Sequence, residues 1–322
     1  MIKLCSILTI TAVLLTGCTM IPKYTRPEAP VPAAWPSGPA YKETPSTQGA
    51  AADLNWREFF ADERLQAIIA TALKNNRDLR VAALNVERAR ALYRIQRAEL
   101  FPVVETGFTA TKQHARISGS NGLVTLEDYS ANLGINSWEI DFFGRIRSLS
   151  KRALEEYFAT EQARRSAQIL LVSEVANAYL ALAADRENLK LAQSTLGSQQ
   201  AGFNLIRRRF EVGIVPELDL RQAQTRVDAA RVDVARFTER AAQDENALNL
   251  LAGSMVPANL LPEELSVVKA LPDVAPGTSS EVLLRRPDIL QAENLLKAAN
   301  ANIGAARAAP ILALAALSKF SA

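Results

Sequence analysis

The side chains able to do covalent or metal chemistry are few in this chain: two cysteines, Cys5 and Cys18, and one histidine, His114, among 322 residues. They form neither a His pair nor a Cys pair with metal-ligand spacing, so zinc chemistry is excluded and no metal or cofactor site is read. The serine elbow G-x-S-x-G, the phosphate-cradling Walker loop and the dinucleotide fingerprint G-x-G-x-x-G are missing. The carboxylates are spread over helical segments as solvated faces, and the chain is read as a non-enzyme. Lys and Arg number 37 against 34 Asp and Glu, and the resulting formal charge of +3 gives no electrostatic footing for nucleic acid as a partner. With 48% hydrophobic residues there is enough apolar content to bury a core.

The cysteine that carries chemistry is Cys18. Lys3 supplies a positive start, residues 4–15 are apolar, and Leu15, Thr16 and Gly17 lead with small residues into Cys18. The apolar stretch is too short for the roughly 20 residues of a spanning helix, so residues 1–17 read as a cleaved signal. The ending resembles the bacterial lipobox, which implies acylation of Cys18 as the first mature residue. The alternative is an ordinary signal with a chance cysteine. Several acyl chains anchor firmly because each buried CH₂ adds about 0.8 kcal/mol. Cys5 leaves with the signal, so the mature chain has neither a free thiol nor a disulfide. Thr19 after the cysteine resembles sorting to the outer membrane.

Behind the anchor, residues 18–52 hold Pro22, Pro27, Pro30, Pro32, Pro36, Pro39 and Pro45 and are expected to run as an extended tether, with Trp35 and Trp56 as points of contact with folded surface. Short helices are expected over 53–102: Leu65, Ile68, Ile69, Ala72 and Leu73 share a face, Asn75-Asn76 interrupts, and a second run from Asp78 stops at Phe101-Pro102. That second run has an echo 210 positions later, pairing Asp78 with Asp288, Ala82 with Ala292, Ala89 with Ala299 and Arg97 with Arg307.

Within residues 103–137 two segments alternate with period two. Val104, Thr106, Phe108 and Ala110 oppose Glu105, Gly107, Thr109 and Thr111; Tyr129, Ala131, Leu133 and Ile135 oppose Ser130, Asn132, Gly134 and Asn136. Each is about nine residues, enough for a tilted strand to cross a bilayer, with Lys112 to Asp128 expected as the loop. The lipid-facing set is then Val104, Phe108, Ala110, Tyr129, Ala131, Leu133 and Ile135. A half-buried soluble hairpin has the same alternation; the signal and anchor favour the transmembrane reading.

Residues 138–252 carry the longest pattern. Leu171, Val175, Ala178, Leu182, Asp185, Leu189, Ala192, Leu196, Gln199, Phe203, Ile206, Phe210 and Gly213 step by four and three without a slip. Leu220, Ala223, Val227, Ala230, Val234, Phe237, Ala241, Asp244, Leu248 and Leu251 do the same. Both are coiled-coil seams, joined at Val212 to Asp219, where Gly213 ends one helix and Pro216 enters the first turn of the next. The result is a long antiparallel helical hairpin, with a first arm of roughly 60 to 100 Å at 1.5 Å per residue. Residues 253–279 read as a linker.

Several motifs in order, Cys18 to Pro27, Trp56-Arg57-Glu58-Phe59-Phe60, Asn85-Val86-Glu87, Tyr93 to Arg97 and Trp138-Glu139-Ile140-Asp141-Phe142-Phe143-Gly144-Arg145-Ile146-Arg147, resemble outer-membrane efflux lipoproteins of the TolC, OprM and NodT kind. Arg285-Arg286-Pro287-Asp288-Ile289 resembles the start of that family's second repeat. The resemblance implies a mainly α fold with a β-hairpin: a TolC-like coiled-coil hairpin plus strands of a trimeric outer-membrane β-barrel. It also implies a lipid-anchored subunit with a periplasmic helical extension, exporting small molecules with a periplasmic adaptor and an inner-membrane pump of the resistance-nodulation-division type. The tip residues Arg209, Phe210, Gly213, Pro216, Leu218 and Asp219 match the family's adaptor-docking region, although they also make an ordinary helix turn. Trp138, Phe142 and Phe143 read either as a bilayer-edge girdle or as packing beneath a barrel. Arg207-Arg208-Arg209 fits an acidic partner or a solvated face equally.

Residues 280–322 are expected to be an incomplete second repeat. With two strands per subunit a trimer would assemble six, below the eight of the smallest bacterial barrels. The two expectations are a channel subunit whose complete form is longer, or a channel-inactive remnant persisting as a lipid-anchored helical hairpin.

Overall fold

The computed structural model describes residues 19–28, 55–116, 123–135, 138–271 and 280–317. Leu15, Thr16, Gly17 and Cys18, and Trp35 in the tether, lie outside the described residues. The fold is mainly helical with a single two-stranded antiparallel sheet among the described residues, as the sequence predicts. Two compact units divide the chain.

One unit is built from residues 55–84, 162–271 and 280–289. It opens with α1 (Trp56–Phe59) and α2 (Glu63–Asn75). Asp62 starts α2 because its Oδ1 accepts from the backbone N–H of Arg64 at 2.9 Å and of Leu65 at 3.2 Å, satisfying donors the helix cannot. The apolar face of α2, Leu65, Ile68, Ile69 and Ala72, is buried in a core with Leu171, Val175, Tyr179 and Leu182 of α4 (Arg145–Glu211) and Leu248 of α5 (Glu217–Ala252). Each large side chain buried there contributes about 1.5–3 kcal/mol. By length and composition α4 could also cross a membrane. Its Leu171-to-Leu182 face is instead spent on α2 and α5.

Asn76 stands between α2 and α3 (Arg77–Ala98) in an extended conformation. Its Oδ1 accepts from Leu79 N–H at 2.9 Å, and its Nδ2 donates to the Leu251 carbonyl at 3.0 Å, pinning the joint to the end of α5. Gly253 closes α5 with φ of +70°. A Cβ there would lie 2.6 Å from the Asn75 carbonyl oxygen, so the two helix ends interlock only around a glycine.

Both seams are realised. Every residue of the second series is buried or half-buried, and the first series stays so from Leu171 to Ile206, becoming exposed only at Phe210 and Gly213. The segment read as a linker differs from expectation, because Leu261 is buried and the chain folds back on α4. Arg186 donates to the Pro262 carbonyl at 2.8 Å, Lys190 pairs with Glu264 at 2.8 Å, and Leu265 N–H donates to Glu187 at 3.0 Å. Residues 261–265 make these contacts with partners on α4 that a 3.5-residue periodicity does not register.

The other unit comprises residues 19–28, 85–116, 123–135, 138–161 and 290–317. It holds the hairpin of β1 (Val104–Arg116) and β2 (Leu123–Ile135) and most of α6 (Pro287–Leu317). Each strand has 13 residues, longer than the alternation predicts, so the loop expected over 112–128 is strand at 112–116 and 123–128. The ladder continues through polar cross-strand pairs, Lys112 with Glu127 at 2.5 Å and Thr125 Oγ1 with His114 Nδ1 at 2.8 Å. Hydrophobic alternation marks the apolar part of a ladder, not its end. The first residues of α3 and α6, Arg77 and Pro287, are separated by the same 210 positions as the sequence echo.

Candidate functional site

The hairpin register brings the two predicted faces together. Val104 pairs with Ile135, Thr106 with Leu133, Phe108 with Ala131 and Ala110 with Tyr129, so the apolar residues of both strands share one face. The opposite face pairs Glu105 with Gly134, Gly107 with Asn132, Thr109 with Ser130 and Thr111 with Asp128. The Asn132 amide lies over Gly107, where a Cβ would collide with it. Phe108 and Leu133 are each 73% exposed, and both faces of the sheet are open among the described residues. A two-stranded hairpin so exposed is marginal in water, and each strand has one unpaired edge. Its chemistry therefore calls for an apolar medium on one face, a polar one on the other, and further strands at its edges.

The apolar band has defined limits. Beyond Ala110 and Tyr129 the same face continues as the Lys112–Glu127 ion pair, and the Tyr129 hydroxyl donates to Glu127 at 3.2 Å. At the other end Trp138 and Phe142 are exposed and Phe143 is half-buried, so the three aromatics divide between surface and packing. Trp138 Nε1 donates to the Leu100 carbonyl at 3.3 Å, joining the segments on either side of the hairpin.

The motif from Trp138 to Ser148 turns strand into helix by paired charges. Glu139 accepts three hydrogen bonds from Arg145, at 2.8, 3.1 and 2.5 Å, while Asp141 Oδ2 accepts from the Arg147 backbone N–H at 2.9 Å and from its Nε at 3.2 Å. Each carboxylate thus reaches six residues on into the first turn of α4, where the helix dipole favours negative charge. Gly144, with φ of +76°, makes the turn, and Ile146 and Ser148 are buried behind it.

At the far end of α4 the connection closes as a Schellman turn. Gly213 N–H donates to the Phe210 carbonyl at 2.8 Å, Ile214 N–H to Arg209 at 2.9 Å, and Gly213 has φ of +78°. Pro216 is the residue that caps α5 rather than one within its first turn, because its extended backbone places the helix start at Glu217. Of the residues singled out from the sequence, Arg209, Phe210 and Leu218 are exposed and Asp219 is half-buried. Arg207 pairs with Glu211 at 3.5 Å on a solvated face. Val212 and Ile214, 70% and 63% exposed, add apolar surface to this tip that the tip assignment had left out. Their signal was present: three apolar residues around one glycine in a turn.

Burial displaces the pKa of Tyr179 and of Asp244 in the helical hairpin. Tyr179 is fully buried with its hydroxyl unpartnered; burial, then the neighbouring Asp62 charge, pushes it up to about 12. Burial and the facing Asp185 raise Asp244 above the ordinary carboxylate range, with Arg240 opposing. Tyr179 sits one place off the seam at Ala178 and points to α2, which the seam pattern does not reveal.

Residues 68–254 match the model of the outer membrane efflux protein family, from the core of α2 to the end of α5. The chain belongs to this family. Two efflux-family relatives from Pseudomonas putida, a toluene efflux pump outer membrane protein, TtgC, and an antibiotic efflux pump outer membrane protein, ArpC, are each 52% identical over 307 residues, covering 94% of this chain and 63% of their own length. The open state of the Neisseria gonorrhoeae MtrE outer membrane channel is similar in structure, with a TM-score of 0.75 and 37% identity over 91% of this chain and 64% of that one. The chain therefore spans somewhat less than two thirds of the relatives it matches.

Proposed function

We propose that the chain is a subunit of an outer-membrane efflux channel, exporting small apolar or amphipathic molecules together with a periplasmic adaptor and an inner-membrane pump. The observation that carries this reading is the hairpin register, which places Val104, Phe108, Ala110, Tyr129, Ala131, Leu133 and Ile135 on one exposed face. On this reading that face meets lipid, the face of Thr109 and Ser130 lines a polar lumen, and the free strand edges are paired by the rest of a homotrimer. Trp138 and Phe142 lie at the periplasmic bilayer edge. Cys18 carries the acyl anchor, with Leu15, Thr16 and Gly17 as its processing signal. The tip around Arg209, Phe210, Gly213, Pro216 and Leu218 docks the adaptor, and transport is passive conduction powered by the pump.

The names of relatives that serve toluene and antibiotic efflux support organic toxicants as the cargo class. The test is deletion of the gene in its host, followed by complementation with the full chain. Accumulation of a fluorescent efflux dye should rise several-fold on deletion and return to the starting level on complementation. Unchanged accumulation on deletion contradicts the reading.

A further inference from the structure

The first described residues run along α6 as a strap. Ile21 lies against Gly304, where a Cβ would come within 2.6 Å of the Ile21 Cγ1 and 2.9 Å of its Cα. Asn300 Nδ2 donates to the Pro22 carbonyl at 2.8 Å. Lys297 Nζ sits 5.4 Å from the centroid of the Tyr24 ring, the Tyr24 hydroxyl donates to Glu293 at 3.4 Å, and the Arg26 guanidinium pairs with the same carboxylate. Lys297 also pairs with Glu293, at 3.1 Å. Glu293, Lys297, Asn300 and Gly304 recur at steps of four, three and four, so they form one stripe of the helix.

The lengths agree. The five extended steps from Ile21 to Arg26 cover about 17 Å, and the eleven helical steps from Glu293 to Gly304 cover about the same distance. Ile21 and Arg26 each precede a proline, Pro22 and Pro27, which holds both contact residues extended before they dock. The burial of Gly304 under Ile21 and the two cations on Glu293 make this contact specific in register. Arg26, then Lys297, hold the Glu293 carboxyl below its ordinary range.

We propose that this stripe of α6 is the seat for the chain's own residues 21–26, and that it fixes how far the N-terminal anchor can reach from the helical wall to the membrane. The inference rests on the acyl-anchor reading given above. Three chain steps lead from Ile21 back to Cys18 and span at most about 11 Å. Six residues of α6 beyond Gly304, about 9 Å along the helix, lead to Pro310. By the 210-residue offset Pro310 is the counterpart of Leu100, whose carbonyl receives Trp138 at the foot of the hairpin. The seat thus holds the acyl chains level with the place where helix gives way to strand, so that anchor and hairpin meet the bilayer together.

The test uses the full chain in its own membranes, with radiolabelled palmitate incorporation and the heat-resistant oligomer band read in parallel. Ile21→Gly empties the seat without altering α6, and Gly304→Leu fills it. Deletion of Thr19 and Met20 shortens the reach, while deletion of Pro45 and Ser46 shortens the tether elsewhere. All should take label; the first three should lose the oligomer band several-fold, and the last should keep it. Wild-type oligomer levels in both Ile21→Gly and the Thr19–Met20 deletion overturn the seat, as does equal loss in the Pro45–Ser46 deletion. Absence of label on the unaltered protein overturns the anchor reading instead.

Discussion

The Asp185 carboxyl on α4 faces that of Asp244 on α5 across the seam of the helical hairpin, and burial together with the Asp185 charge raises Asp244 above the ordinary carboxylate range. Asp244 is the one polar member of the second seam, Asp185 is one of two in the first beside Gln199, and the two aspartates face each other. Burial and a facing like charge both favour the protonated form of Asp244. Asp244 Oδ2 is buried with no hydrogen-bond partner. The charges around the pair come from both helices and the returning segment: Arg240 on α5, the Arg186–Glu245 pair at 3.1 Å, and Lys190 with Glu264.

This pair makes the hairpin sensitive to pH. The folded state raises the pKa of Asp244, so it keeps a proton that the unfolded chain has released. The contribution of Asp244 to stability is then fully present in acid and falls as pH rises from the ordinary carboxylate value through the raised one. Asp244→Asn stays neutral throughout. Its urea midpoint should lie above that of the unaltered protein at pH 7.5 and match it at pH 4. An equal midpoint at both pH values contradicts the raised Asp244 carboxyl.

The two faces of the hairpin should respond oppositely to charge. Phe108→Arg or Leu133→Arg places a cation on the apolar face at a penalty of about 2–4 kcal/mol near the bilayer centre, and the heat-resistant oligomer should be lost. Thr109→Arg, one residue along, should leave assembly intact. Equal tolerance at 108 and 109 is incompatible with a lipid-facing side.

Gly213 and Gly253 share a left-handed backbone but differ in surroundings. At Gly213 a Cβ meets open space, so Gly213→Ala should lower stability by only about 1–2 kcal/mol from backbone strain. At Gly253 the same change also strikes the Asn75 carbonyl at 2.6 Å, and the loss of urea midpoint should be at least twice as large. The reverse ranking contradicts the interlocked joint of α2 and α5.

At the hairpin tip, Ile214→Asp and Leu218→Asp alter side chains that are 63% and 64% exposed. Thermal stability should be unchanged, while co-purification of the adaptor from cross-linked cells should fall at least fivefold. Retained co-purification in both variants moves docking away from this turn.

Repeating patterns were legible and singular contacts were not. The seams and the paired faces of the hairpin follow from periods of 3.5 and 2, which burial enforces over many residues. Strand length escaped because Lys112, Glu127, His114 and Thr125 extend the ladder through polar pairs, which leave no hydrophobic trace. The lock between Gly253 and Asn75, the strap at Gly304 and the burial of Tyr179 depend on residues far apart in sequence. For these the chain offers only a glycine or a tyrosine, without its partner. Glu139 with Arg145 and Asp141 with Arg147 lie between the extremes: the motif was evident as a resemblance, and its six-residue charge pairing became readable only from the geometry.

The most direct measurement places a thiol-attached fluorophore at position 108 or 109 of the full chain reconstituted in vesicles. Quenching by brominated lipid tails at 108 and by aqueous iodide at 109 is expected of a hairpin with one side in the bilayer and the other in a watery pore. Iodide quenching at both positions, with no response to the lipid quencher, would contradict it.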